Sequence, residues 1–292
     1  MFEISGLILA PRIAGAVRKI QESYKEGIVR MTFMTTRSPL KEEVINVMVD
    51  PSTTVKDLAL RIPNATRVFE KARIDYCCGG SRSLAQACAR AGIEVEEMCR
   101  LLAEENVKAT EGGKSADFGS MSLTELANYI VEKHHVFTQQ ETVRLVALLE
   151  KVCSAHADNH PELLQVQTAF GTLQSDLDQH MFKEEQVLFP YIKQLEAARS
   201  NHQPTPRPPF VTMRNPLAVM TLEHDAAGDI LREIRKLSKD FAVPADACLS
   251  YQTLYAALEE FEVDLHQHIH LENNILFPRA LTLEDRARAA LV

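Results

Sequence analysis

The chain has 292 residues and a formal net charge of −8, with 46% apolar and 25% charged residues. This is ordinary globular usage, long enough for one large domain or two smaller ones. The acidic balance argues against a nucleic-acid protein, and no apolar run approaches the ~20 residues needed to span a bilayer.

Residues 1–50 carry no clear period. SGLILAPRIAGAVRKIQESYKEG suits a short helix and VINVMV a short strand. The opening lacks the basic start and long apolar core of a secretory signal, so none is expected. Met31 and Met34 lie inside this stretch, and initiation at either would remove the residues before it. Its role is left unassigned.

Residues 51–104 read as a compact helical unit. Thr53 or Thr54 can cap a helix through VKDLALRI, and Pro63-Asn64 separates it from ATRVFEKAR. Gly92 stops SLAQACARAG, and IEVEEMCRLLAEEN comes next. Between the second and third helices lies DYCCGGSRS, a turn whose Gly79-Gly80 permits positive φ. Residues 105–120 are polar and aperiodic and read as a linker.

From residue 121 apolar residues recur at three- and four-residue intervals through four long helices. The first is SLTELANYIVEKHHVFTQQETVRLVALLEKVCSAH, with Ser122 as cap. The second is PELLQVQTAFGTLQSDLDQHMFKEEQVLF. After the Pro-rich loop SNHQPTPRPPFVTMRN come PLAVMTLEHDAAGDILREIRKLSKDF and PADACLSYQTLYAALEEFEVDLHQHIHLENNILF. The fold class is all-α, an up-down four-helix bundle over 121–280. Residues 281–292 form a tail able to make one short extra helix.

Fifteen residues occur twice. DLDQHMFKEEQVLFP (176–190) and DLHQHIHLENNILFP (264–278) both fit Asp-Leu-x-Gln-His-x3-Glu-x3-Leu-Phe-Pro. Asp176, His180 and Glu184 share one helical edge, and so do Asp264, His268 and Glu272. Pro190 and Pro278 read as the helix ends. His180 and His268 are 88 residues apart, and His134 and His224 are 90 apart. Each half of the bundle is therefore a helix with one histidine, then a helix with His-x3-Glu.

A single His-x3-Glu pair is ordinarily a surface pair worth a few tenths of a kcal/mol. Doubled within a matched repeat, it points to metal. His134, His180, Glu184, His224, His268 and Glu272 are the ingredients of a non-haem di-iron centre, with the carboxylates as bridges. The set holds more histidine and less carboxylate than ferritin-like sites, and that balance is hemerythrin-like. Asp176 and Asp264 are candidates to orient the rings. Glu223 is a candidate to line a route to the site. His266 and His270, two residues from His268, should point away to the surface, where His135, His160 and His202 are also placed. His156 is a cap, a supporting residue or a labile ligand.

Six cysteines, Cys77, Cys78, Cys88, Cys99, Cys153 and Cys248, do not make a disulfide framework and fit a reducing, cytoplasmic setting. Cys77 and Cys78 are redox-active, metal-binding or simply buried. A helix starting near Ser81 or Ser83 would favour their thiolates and make at least one react faster than the other four cysteines.

DYCCGG, EKHH, HMFKEEQVLFP, LEHDAAG and HIHLENNILFPRAL together resemble the di-iron iron–sulfur cluster repair proteins, or RIC (repair of iron centres) family. The resemblance covers roughly residues 52–280. It implies an ScdA-like amino-terminal domain over 51–104 and a hemerythrin-like bundle over 121–280. Its metal ligands fall on His134, His180, Glu184, His224, His268 and Glu272. It also implies a cytoplasmic stress-response protein whose clients are iron–sulfur proteins damaged by nitric oxide or oxidants. The small partner would be NO or O2, and a homodimer is left open. Cys77 and Cys78 would serve thiol or nitrosothiol chemistry. Two rival readings are an O2- or NO-binding sensor or carrier, and a di-iron nitric oxide reductase; hydrolysis is not expected. The extra residues 1–50 and the long loop at 201–211 depart from the family.

Overall fold

The computed structural model describes residues 49–112, 117–204 and 206–289. The helix and strand expected in the N-terminal extension fall outside the described residues, as does the choice of start.

Four short helices open the described chain: α1 (Val55–Arg61), α2 (Ala65–Lys71), α3 (Leu84–Ala91) and α4 (Val95–Gly112). Their ends are set locally. The Thr54 hydroxyl accepts from the Asp57 N–H, Ser83 and Gln86 cap reciprocally, and Gly92 at φ 69° ends α3. α4 runs on to Gly112 because nothing in AEENVKATE breaks a helix, so the expected linker is shorter than its polarity suggests. Val55, Leu58, Phe69, Tyr76, Leu84, Met98 and Leu102 close a core between these helices.

The bundle comes after them. Its first helix is α5 (Leu123–Tyr129), a π-helical turn (Ile130–His135) and α6 (Val136–His156). The second is α7 (Glu162–Lys183), a π turn (Glu184–Leu188) and α8 (Phe189–Ser200). The third, α9 (Arg214–Leu237), is unbroken. The fourth is α10 (Leu249–Leu271), a π turn (Glu272–Leu276) and α11 (Phe277–Ala289). The second helix packs on the first and third, and the fourth closes onto the first. The fold is all-α, and the only β pairing among the described residues is an isolated bridge between Thr54 and Ser83.

Pro190 and Pro278 are not helix ends, contrary to expectation. Ahead of each proline the π turn has already shifted the backbone ladder: the Phe189 N–H reaches the Glu184 carbonyl, and the Phe277 N–H reaches that of Glu272. Each proline then sits at the start of a renewed helix, where a missing N–H costs little. The tail is likewise no separate helix, because α11 continues the fourth.

These extensions have a purpose. Glu196 in α8 accepts from the backbone N–H groups of Leu123 and Thr124, both at 2.8 Å. Glu284 in α11 accepts from the Met213 N–H at 3.1 Å and the Thr212 hydroxyl at 3.0 Å. Each carboxylate satisfies the exposed start of the preceding bundle helix and complements its dipole. Glu196 and Glu284 are 88 residues apart, so the repeat extends past Leu-Phe-Pro.

The capping carboxylates differ in burial: Glu284 is buried and Glu196 is only partly so. Glu284→Ala is expected to cost about 2–3 kcal/mol in urea unfolding and Glu196→Ala about 1 kcal/mol. An equal or smaller loss at Glu284 would show that its hydrogen bonds do not hold the third helix.

Candidate metal centre

Each bundle helix carries its polar site residue between two apolar stretches. On one side lies a core including Leu145, Leu149, Phe170, Leu173, Leu231 and Phe261. On the other lies a core including Leu126, Ile130, Phe189, Leu217, Leu276 and Phe277. Water is thereby kept from a layer of charged and imidazole groups.

Two groups of donor atoms meet in that layer: His135, Glu184, His268 and Glu272, and His180, Glu184, His224 and Glu272. Both glutamates belong to both groups. His135 Nε2 lies 3.1 Å from His268 Nε2 and 3.4 Å from Glu184 Oε2. His224 Nε2 lies 3.0 Å from His180 Nε2 and 3.0 Å from Glu272 Oε2. His268 Nε2 and Glu272 Oε1 are 3.1 Å apart.

The outer nitrogens fix the tautomers. His180 Nδ1 faces Glu223 Oε2 at 2.8 Å, His135 Nδ1 faces Glu185 Oε1 at 2.8 Å, and His224 Nδ1 faces Asn273 Oδ1 at 2.9 Å. An Nδ1 facing an oxygen acceptor carries the proton, so these rings turn Nε2 lone pairs inward. Two such lone pairs 3.0 Å apart repel unless a proton or a metal ion lies between them. Both oxygens of Glu184 are buried without a hydrogen-bond partner. Burial and the Glu272 carboxylate both oppose ionisation of Glu184, yet the imidazoles, His180 first, hold it below the usual carboxylate range. Burial works against a charged His180 too, but Glu184, Glu272 and Glu223 push it up to about 9. Two buried anions and four inward imidazoles are a donor set fit for two divalent cations sharing both carboxylates.

His134 is not in either group. Its Nδ1 bonds Asp264 Oδ1 at 3.0 Å, and its ring stacks on His268 with centroids 5.7 Å apart. His135, expected at the surface, is fully buried and takes the place proposed for His134. The reason is the π turn at Ile130–His135. From the N–H held by the capping glutamate, Leu123 to His135 is twelve residues, but Met213 to His224 is eleven. A π turn inserts one residue, so a 90-residue spacing from His224 lands one position early.

Other expectations divide. Asp264 does orient a ring, that of His134, whereas Asp176 is exposed. Glu223 holds His180 and bonds Lys183 rather than lining a route. His266 and His270 point away from the donor groups but not into solvent, since the small helical unit covers them. His266 Nδ1 meets Glu70 Oε1 at 2.9 Å, and His270 is buried edge-on to Tyr76. Burial pushes His270 down to about 4. His156 ends α6 with Nε2 3.2 Å from Cys248 Sγ, His160 bonds Asp246, and His202 is exposed. Glu185 and Asn273 were not singled out from sequence, although each directly follows a repeat glutamate. A cleft of about 310 Å³ beside α2 is lined in part by Glu70, Tyr76, Phe137 and Asp264.

The Cys77-Cys78 turn packs against the bundle, with Cys77 joining its apolar core. Neither Gly79 nor Gly80 has positive φ; Gly80 is needed for space against backbone, whereas at Gly79 the nearest atom is the movable end of Arg82. A Cβ on Gly79 would come within 2.2 Å of Arg82 Nη1, and one on Gly80 within 2.5 Å of the Tyr76 carbonyl oxygen. The thiolate expected of at least one of the pair is opposed at Cys77, whose hydrogen bond to Cys78, burial and the Asp75 carboxylate hold the thiol well above its ordinary value. The next helix is capped at Ser83, as expected. Cys248 is the thiol favoured as thiolate: exposed at the start of α10, it is pulled down by the Tyr251 N–H and His156.

Residues 138–280 match the Hemerythrin HHE cation binding domain family, and residues 51–106 match the ScdA_N family, a domain of unknown function. The chain is 36% identical over 228 residues to a probable iron-sulfur cluster repair protein of Haemophilus influenzae, covering 78% of this chain and 96% of that protein. It is 34% identical over 224 residues to the iron-sulfur cluster repair protein YtfE of Yersinia pseudotuberculosis, covering 77% and 94%. The YtfE protein of Yersinia pestis matches to the same extent.

His135→Ala is expected to lower metal affinity more than tenfold and His134→Ala by less, read by metal content after dialysis against a chelator. The reverse order would put the first helix in α-helical register. In timed alkylation at neutral pH, Cys248 is expected to be modified before Cys77, as mass spectrometry of digests would show.

Proposed function

The chain belongs to the iron–sulfur cluster repair protein family, and we propose that it holds two irons and restores iron–sulfur clusters damaged by nitrosative or oxidative stress. His135 and His268 would hold one iron, His180 and His224 the other, with Glu184 and Glu272 bridging. The observation that carries this reading is the sharing of both buried glutamates by two four-residue groups. Imidazole with carboxylate suits iron, and the absence of thiolate from both groups disfavours a structural zinc site.

When bound, the iron pair supplies redox chemistry and transferable metal. The chain supplies the setting. Glu223, Glu185 and Asn273 aim the rings, and the ionised glutamates balance cation charge. The apolar layers on either side keep out water and competing ligands. Clients would be damaged iron–sulfur proteins, met in the reducing cytoplasm, with NO or O2 as the small molecule that reaches the irons. A plain oxygen carrier has no use for a Cys-Cys unit packed against the helix bearing His224. That packing supports repair over transport.

As isolated, the protein is expected to carry about two irons per chain with an oxo-bridged ferric absorption in the near-ultraviolet. It should restore activity to a dehydratase whose [4Fe–4S] cluster has been damaged by nitric oxide. Glu184→Ala or Glu272→Ala should abolish both iron retention and restoration. A single tightly held zinc would overturn the metal assignment. Full iron loading with no restoration, but steady consumption of nitric oxide, would favour the reductase reading.

A further inference from the structure

We infer that Asp75, Cys77 and Cys78 form a separate site for one thiophilic divalent cation, such as Fe(II) or Zn(II), built on the face of the helix that carries His224. The three side chains offer donor atoms within 4.8 Å of one another and share none with the histidine–glutamate layer. Cys77 Sγ lies 3.8 Å from Cys78 Sγ and 3.4 Å from Asp75 Oδ1. With metal–sulfur bonds of about 2.3 Å and metal–oxygen bonds of about 2.0 Å, a tetrahedral ion sets two thiolates ~3.8 Å apart and thiolate from oxygen ~3.5 Å. The observed spacings are those of a tetrahedron's edges.

The donors are held in place. The N–H groups of Cys78 and Gly79 donate to Asp75 Oδ1 at 2.9 and 2.8 Å, fixing the carboxylate. Gly228 on α9 faces the turn, a Cβ there standing 3.8 Å from Cys78 Sγ, an ordinary contact distance. The sulfurs are free thiols, too far apart for a disulfide. Two thiolates, one carboxylate, a divalent cation and Arg232, whose Nη1 is 3.9 Å from Asp75 Oδ2, sum to zero charge. Binding releases the two thiol protons to solvent and moves no electrons. Three ligands leave a coordination position open, as in sites that exchange their ion or add a ligand. Cys78 Sγ lies 3.7 Å from the His224 carbonyl oxygen, so this ion would sit against the backbone of the larger centre. The inference stands whether or not the repair reading does, because it rests on different side chains.

The test uses the full chain, reduced and already loaded with iron, under anaerobic conditions. Added Co(II) is expected to give a thiolate-to-cobalt charge-transfer band saturating near one further equivalent. Cys77→Ser and Cys78→Ser should each weaken this binding more than about tenfold and remove most of the band, and Asp75→Asn should weaken it less. Iron content should stay at the wild-type value in all three variants, and the thermal midpoint should stay there in Cys78→Ser, whose side chain is only half-buried. A second measurement needs no variant: Zn(II) should slow alkylation of Cys78 about tenfold or more while Cys248 reacts as before. No band at saturating Co(II), a band that persists in the double serine variant, or alkylation of Cys78 indifferent to Zn(II) would each overturn the inference.

Discussion

Two carboxylates with no access to water, Glu184 and Glu272, set the terms for the whole bundle. An unpaired buried carboxylate costs several kcal/mol. Every nearby feature reduces that cost. Four imidazoles turn toward the pair, and the nitrogens behind three of them are held by oxygen acceptors. Apolar cores on both sides give the layer its low dielectric, which sharpens attraction and penalty alike. With a layer of this kind at its centre, the bundle has one acceptable rotation for each helix, because turning any one of them would bury an anion without its partners.

The π turns belong to the same constraint. They fall at Ile130–His135, Glu184–Leu188 and Glu272–Leu276, on the three helices that bring His135, Glu184 and Glu272 to the layer. Each adds a residue and rotates the helix beyond it, which lets a donor face inward without disturbing the apolar stripe on either side. The same turns let the second and fourth helices pass through proline and reach the starts of the first and third. Donor placement and end-capping are thus coupled through the backbone, and Glu196 and Glu284 close each half of the repeat on itself.

How far the site could be read from residues alone is set by this geometry. That His180, Glu184, His268 and Glu272 meet in one layer was legible, because two copies of one motif report the same helical face, and His224 was added by its place on the helix before the second copy. His135 was not, because counting residues assumes a constant number per turn, and a π turn breaks that assumption without any marker in composition. The prolines misled for a related reason: propensity is local, whereas the helix is prolonged by contacts with residues about 70 positions away. The phase of His266 and His270 was right but their environment was not. One helix's pattern says which face points away from the layer, not that another unit will cover it. Cys248 draws its character first from the Tyr251 N–H at the start of its own helix and then from His156, 92 residues distant, which no window along the chain could join to it.

The residue just before each first-position donor breaks the twofold. In the third helix it is Glu223, whose carboxylate holds His180; in the first it is His134, stacked on His268 and held by Asp264. His268 Nδ1 is consequently buried with no acceptor, alone among the four inward rings. An imidazole whose far nitrogen gives its proton to a carboxylate is the stronger donor. The two groups, alike in their inventory of donors, therefore differ in how their rings are held: both His180 and His224 have an oxygen acceptor behind them, whereas of His135 and His268 only His135 does. A duplicated hairpin has in this way acquired a polarity.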